Sequence, residues 1–265
     1  MTTPDVPLRI EFEIEVPGTP AQVWEALATA TGLSAWFLPT ESEERLGGRQ
    51  ITHMGPEDAP ADITGWDPPF RFAYVEDIAA LAGKDPAAVT PLASEFLVEA
   101  RSGGTCIVRV VSSAFGVGAD WEQEFVEDMK HGWLPYFEQL RLYLRHFPGQ
   151  RATTFTVDRQ APGRAEEVRA AVRTRLGGHA IGDRVELDGT SGVVERTDPV
   201  LLVRLDAPVP GMLRVATGGP AGAEAVEVGG YLFPPAGTDT AAVVEAQRAT
   251  WTALLDALTA AEVPS

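Results

Sequence analysis

The sequence predicts an α+β fold in which antiparallel strands pack on one long helix. Three observations carry that expectation. Leu8 to Val16 alternates apolar and charged residues, as a half-buried strand does. Trp121 to Phe147 places Trp121, Phe125, Met129, Trp133, Phe137, Leu140 and Leu144 at i, i+3 and i, i+4 steps. One face of a long helix is then apolar and the other charged. After Phe147-Pro148-Gly149-Gln150 the order of strand, helix and strands begins again.

The elements follow in order. Ile10, Phe12, Ile14 and Val16 form the apolar side of the first strand, opposite Glu11, Glu13 and Glu15. Pro17-Gly18-Thr19-Pro20 is a turn in which Thr19 caps a helix and Pro20 takes its first position. That helix, AQVWEALATA, turns Val23, Trp24 and Leu27 inward, and a short second helix covers Gly32 to Phe37. Strands are expected over about 40–46, 49–54, 62–67 and 70–76, broken by Gly47-Gly48, Gly55-Pro56 and Asp67-Pro68-Pro69. Residues 77–93 read as a short helix and loop. Ser94 to Arg101 and Thr105 to Ser113 read as a hairpin about Ser102-Gly103-Gly104. The long helix comes last, with a bend expected near Gly132 because Pro135 has no N–H for the His131 carbonyl.

Four matches in the same order tie the second half to the first. Pro17-Gly18-Thr19-Pro20 is echoed by Pro162-Gly163-Arg164-Ala165, and Leu46-Gly47-Gly48-Arg49 by Ile181-Gly182-Asp183-Arg184. Ile63 to Tyr74 is echoed by Val194 to Leu205 with the Asp-Pro turn in register, and Trp133, Phe137 and Leu140 by Trp251, Leu255 and Leu258. The division is therefore 1–150 and 151–265, the second part reduced. In it, Thr217 to Ala225 reads as a hairpin loop and Thr238 to Ala261 as an Ala-rich helix.

The formal net charge of −17 at pH 7 argues against nucleic acid or an anionic membrane as partner. One cysteine, Cys106, excludes an internal disulfide and a cysteine-cluster metal site, and its apolar strand makes it a small buried hydrophobe. No apolar run approaches membrane-spanning length, and the first residues lack the pattern of a signal peptide, so a soluble, cytoplasmic protein of bacterial type is expected. The four histidines, His53, His131, His146 and His179, fall in no metal-binding spacing. No phosphate loop, dinucleotide fingerprint or nucleophile elbow is present. The acidic groups Glu41, Glu43, Glu44 and Glu122, Glu124, Glu127, Asp128 read as solvated faces, with docking of a basic partner as the alternative.

Residues 8–147 resemble a known family. VPGTPAQVWEALATATGLSAWF, the Gly47-Gly48 hairpin, the ITGWDPPFRFAY strand pair and a C-terminal helix bearing Gly132-Trp133 are similar to the SRPBCC superfamily (START-like, Bet v 1-like, helix-grip). The branch they resemble most is the activator of Hsp90 ATPase homologue-like one. The resemblance implies a curved antiparallel sheet gripping the long helix, with an apolar cavity between them and a degenerate second copy following. It implies less about function, because such a scaffold hosts unrelated activities.

Residue type nominates the lining of that cavity. Trp66, Phe70, Phe72, Tyr74, Phe96, Trp121, Phe125, Met129, Trp133 and Phe137 are expected to face one another between sheet and helix, with Phe70, Phe72 and Tyr74 on one face by strand parity. His53 joins them as a polar member. The alternative for the same side chains is a filled core. The leading functional expectation is the binding of a hydrophobic small molecule, with no catalytic residue, metal or cofactor assigned. A cyclase/aromatase-like enzyme acting on a polyketide-like substrate, with His53, Tyr74 and His131 shuttling protons, is the second. A co-chaperone-like module that binds a protein partner is the third.

Overall fold

A computed structural model describes residues 6–54, 58–77, 90–116, 120–219 and 221–260, and of these it describes 6–7, 115–116, 120–128 and 130–131 by backbone alone. The chain divides between residues 151 and 152 into two compact units.

The first unit opens with β1 (Val6–Pro17), α1 (Pro20–Ala28) and α2 (Ala30–Trp36). Thr19 caps α1 through a full capping box: its side chain accepts from the Gln22 N–H, and the Gln22 side chain accepts from the Thr19 N–H at 2.9 Å. Thr29 does the same work one helix later, its hydroxyl accepting from the Gly32 N–H at 3.0 Å. Glu44, one of the acidic cluster, accepts from the Ala30 N–H at 3.1 Å, at the end of α2 where negative charge is favoured.

Six strands follow: β2 (Thr40–Ser42), β3 (Arg49–His53), β4 (Asp58–Asp67), β5 (Arg71–Glu76), β6 (Leu92–Arg101) and β7 (Thr105–Gly116). The strand expected over 40–46 stops at Ser42, because Arg45 and Gly48 donate into a tight turn on the Glu43 and Arg45 carbonyls at 2.6 and 3.0 Å. The strand expected from residue 62 instead begins at Asp58. Of the stretch 77–93 expected as a short helix and loop, residues 78–89 lie outside the described residues, and Leu92 and Ala93 already belong to β6. The sheet order is β1-β7-β6-β5-β4-β3-β2, every described pairing antiparallel, so the chain runs a meander whose last strand returns to the first. α3 (Asp120–His146) is a single helix with Pro135 inside it. α1 packs on β5 and β6, α2 on β2 and α3 on β1. This is a helix-grip fold.

The second unit has the order β8 (Thr153–Gln160), α4 (Ala165–Leu176), β9 (Arg184–Leu187), β10 (Thr190–Arg196), β11 (Leu201–Ala207), β12 (Gly211–Gly218), β13 (Ala225–Leu232) and α5 (Thr240–Ala260). Its sheet order is β8-β13-β12-β11-β10-β9. Again the first strand lies beside the last and the others form a meander. Asp198-Pro199 joins β10 to β11 as Asp67-Pro68 joins β4 to β5. The core of this unit is closed: Phe155, Val172, Val203, Leu213, Val228, Trp251 and Leu255 belong to one buried cluster. Within it, the Thr190 hydroxyl and the Trp251 indole N–H both donate to Gln247 Oε1, at 3.1 and 3.3 Å.

Candidate functional site

The candidate site is the face of the first sheet that looks at α1 and α3. Residues directly opposed in antiparallel strands put their side chains on the same face, so the register lays this face out in rows. One row runs Trp66, Phe72, Phe96, Val110, Phe12. The next runs Ile63, Tyr74, Ser94, Ser112, Ile10. The third runs Ser42, Gln50, Ala61, Glu76, Leu92.

The first row and Tyr74 make a continuous aromatic surface. Trp24 of α1 meets Trp66 and Phe72 edge-on, at 5.2 and 6.3 Å between ring centroids. Phe72 and Tyr74 lie 6.1 and 6.0 Å from Phe96. From α3, Trp133 reaches Phe96 at 6.2 Å and stacks on Phe37 and Phe137 at 5.3 and 5.4 Å. Met129, one turn earlier, packs against Leu92, Ala114 and Leu8.

The structure therefore brings together Trp66, Phe72, Tyr74, Phe96, Trp133 and Phe137, and sets Met129 beside Leu92. The Trp121, Phe125 and His131 side chains lie outside the described residues. Phe70 is a correction. It sits in the turn between β4 and β5, its N–H bonded to the Asp67 carbonyl at 2.8 Å, and is 53% exposed. Strand parity cannot carry it inward because the strand starts one residue later, at Arg71. His53 is a second correction. β3 turns Gln50 and Thr52 inward, so His53 belongs to the outer face. There its Nδ1 lies 2.7 Å from Asp58 and its Nε2 3.5 Å from Glu41, and Asp58 holds the imidazole pKa above its ordinary value.

The third row is what the residue types did not nominate. Gln50 is 5% exposed, and its Oε1 has no hydrogen-bond partner among the described residues; neither has the buried Ser42 Oγ. Glu76 stands two strands away, with only the small Ala61 between it and Gln50. Burial pushes the Glu76 carboxyl up to about 7. Burial also pushes the Tyr74 phenol well above its ordinary value, and the neighbouring Glu76 charge adds to this. Ser94, bonded to Ser112 at 2.9 Å, opposes Tyr74 on the next strand. A signal for Glu76 was present, because the parity that pairs Phe72 with Tyr74 continues to residue 76. None marked Gln50, since an alternation read by polarity places Ile51 inside and Gln50 outside.

Other features are less suited to a site. Cys106 is buried, its thiol 3.4 Å from the Gly18 carbonyl and raised in pKa by that burial. On the second unit an open groove of about 500 Å³ is lined by Asp158, Gln160, Arg214 and Glu227 among others, and Arg214 donates to Glu227 at 2.5 Å. Among the described residues no helix is long and apolar enough to cross a membrane.

No protein-family model matches the chain, and no curated protein matches it. Solved structures do. The di-domain ARO/CYC BexL from the BE-7585A biosynthetic pathway is 15% identical, with 97% of this chain and all of that one covered at a TM-score of 0.45. MLL2253 from Mesorhizobium loti is 19% identical over 53% of this chain and 98% of its own, at 0.46. The Aha1 dimer from Colwellia psychrerythraea is 18% identical over 52% of this chain and 97% of its own, at 0.43.

Proposed function

We propose that the first unit binds a hydrophobic small molecule between its sheet and α3, as a protein of the SRPBCC kind, and that residues 151–265 are a reduced tandem copy with a filled core. One observation supports the binding reading above all. On the helix-facing side of β3 to β6, the aromatic surface of Tyr74 and Phe96 gives way to the small side chains of Ala59 and Ala61 and to polar atoms without partners among the described residues. A core meant only to be filled places large apolar groups at such positions and pairs the great majority of its buried acceptors. The tandem reading is supported by the shared strand order of the two sheets.

Native mass spectrometry of the purified protein, followed by denaturing extraction, tests the binding reading. A retained apolar molecule, or saturable quenching of tryptophan fluorescence by an added aromatic probe, is the expected result. A chain that carries nothing and quenches with no probe overturns it. Acid–base catalysis on the bound molecule is the second reading, favoured by the pairing of Glu76, titrating near 7, with the Tyr74 phenol on one strand face.

A further inference from the structure

We infer that the row formed by Ser42, Gln50 and Glu76 is a subsite for the polar head of the ligand, and that this head is an uncharged hydrogen-bond donor such as a hydroxyl group. The inference rests on the binding reading above and deepens it.

Three features of the row carry it. Gln50 Oε1 and Ser42 Oγ are buried without partners among the described residues, and an unpaired buried acceptor costs free energy unless something donates to it. Their strands are adjacent and Ser42 and Gln50 directly opposed, so one head group can meet both. Glu76 lies on the same row beyond Ala61, whose side chain is a single methyl. Above about pH 7, where Glu76 is ionised, its carboxylate repels an anionic head and disfavours a free acid as ligand, so binding is compared at pH 8. Tyr74 and Phe96, one and two rows along, offer ring faces for the apolar body. The molecule would lie along β5 with its body over the aromatic rows and its hydroxyl over β3 and β4. A hydroxyl suits the row because it donates to Gln50 Oε1 and accepts from the Ser42 hydroxyl at once.

Three naphthalene probes that differ only in the head test this: 2-naphthol, 2-methoxynaphthalene and 2-naphthoate. Binding is read by tryptophan quenching on the full chain. The expected order is naphthol tightest, the methyl ether about tenfold weaker and naphthoate weakest, a factor of ten being the loss expected for one unpaired buried group. Gln50→Leu, close to isosteric, removes the preference for naphthol and leaves the ether unchanged, with circular dichroism confirming the fold. Ser42→Ala reduces the preference without a change of strand packing. Glu76→Gln relieves the discrimination against naphthoate. Equal affinities for naphthol and its ether in the native chain, or equal effects of Gln50→Leu on both, overturn the subsite while leaving the binding reading in place. Failure of all three probes to bind overturns both.

Discussion

At the scale of single residues, Glu76 governs the pH dependence expected of the first unit. It ends β5 on the face shared with Phe72 and Tyr74, and burial raises its carboxyl pKa to about 7. The unfolded chain titrates the same group in the ordinary carboxylate range. Between that range and about 7 the folded chain binds more protons than the unfolded one. Stability therefore falls as pH rises through this window, and the cost is fully present above it. Glu76→Gln removes the titration while keeping the shape. It should leave stability nearly unchanged at pH 4, where the carboxyl is protonated in both states, and raise it by up to about 3 kcal/mol at pH 8. Urea unfolding at the two pH values measures this. An equal effect at both would mean that Glu76 is not the buried titrating group. His53 has the opposite sign and a weaker hold. Its raised pKa adds stability that is present at acid pH and disappears as pH rises through the folded value, but the pair with Asp58 is at the surface and worth little.

At the scale of elements, close approach explains why some positions admit a single residue. Gly32 of α2 faces the end of α1 so closely that an added Cβ would lie 2.0 Å from the Glu25 carbonyl oxygen. That contact is with backbone, which cannot swing away as a side chain can. Gly32→Ala should thus separate α1 from α2 and cost on the order of 3 kcal/mol, the scale of overpacking, despite alanine's higher helix propensity. An unchanged urea midpoint and slope would show that the pair can slide apart freely. The same scale shows what was legible in the sequence. The alternation of Leu8 to Val16, the Thr19 cap and the α3 periodicity each follow from a local rule, and each element formed where its rule put it. Phe70 and Gln50 did not obey theirs. Turn geometry took Phe70 out of its strand, and β3 is inverted, turning Gln50 and Thr52 in and leaving Ile51 half-buried. Hydropathy marks polar residues as outward, so a strand that buries them is misread from polarity alone.

Over the whole molecule, two sheets share a strand order, and the tryptophans on the last helices of the two units are buried to different degrees. Trp133 and Trp251 hold matching places in the sequence echo, each on the last helix of its unit. Trp251 is fully buried in the closed cluster of the second unit, its N–H satisfied by Gln247. Trp133 is only partly buried, and it stands where the aromatic rows border the candidate site. The echo was visible in the sequence from spacing alone. The difference in burial of the two tryptophans was not, because it depends on how each unit packs around its last helix. The contrast has a measurable consequence. Trp251→Ala opens a cavity in a filled core and should cost about 3–5 kcal/mol, whereas Trp133→Ala truncates a side chain that is only partly buried and should cost roughly half as much. For Trp251→Ala, hydrogen exchange should quicken in α4, α5 and β8, which share that core. For Trp133→Ala the larger change should be in binding, with weaker quenching by 2-methoxynaphthalene at little loss of fold. Equal costs for the two substitutions would mean that the first unit is as tightly filled as the second, and the space assigned to a ligand would be gone.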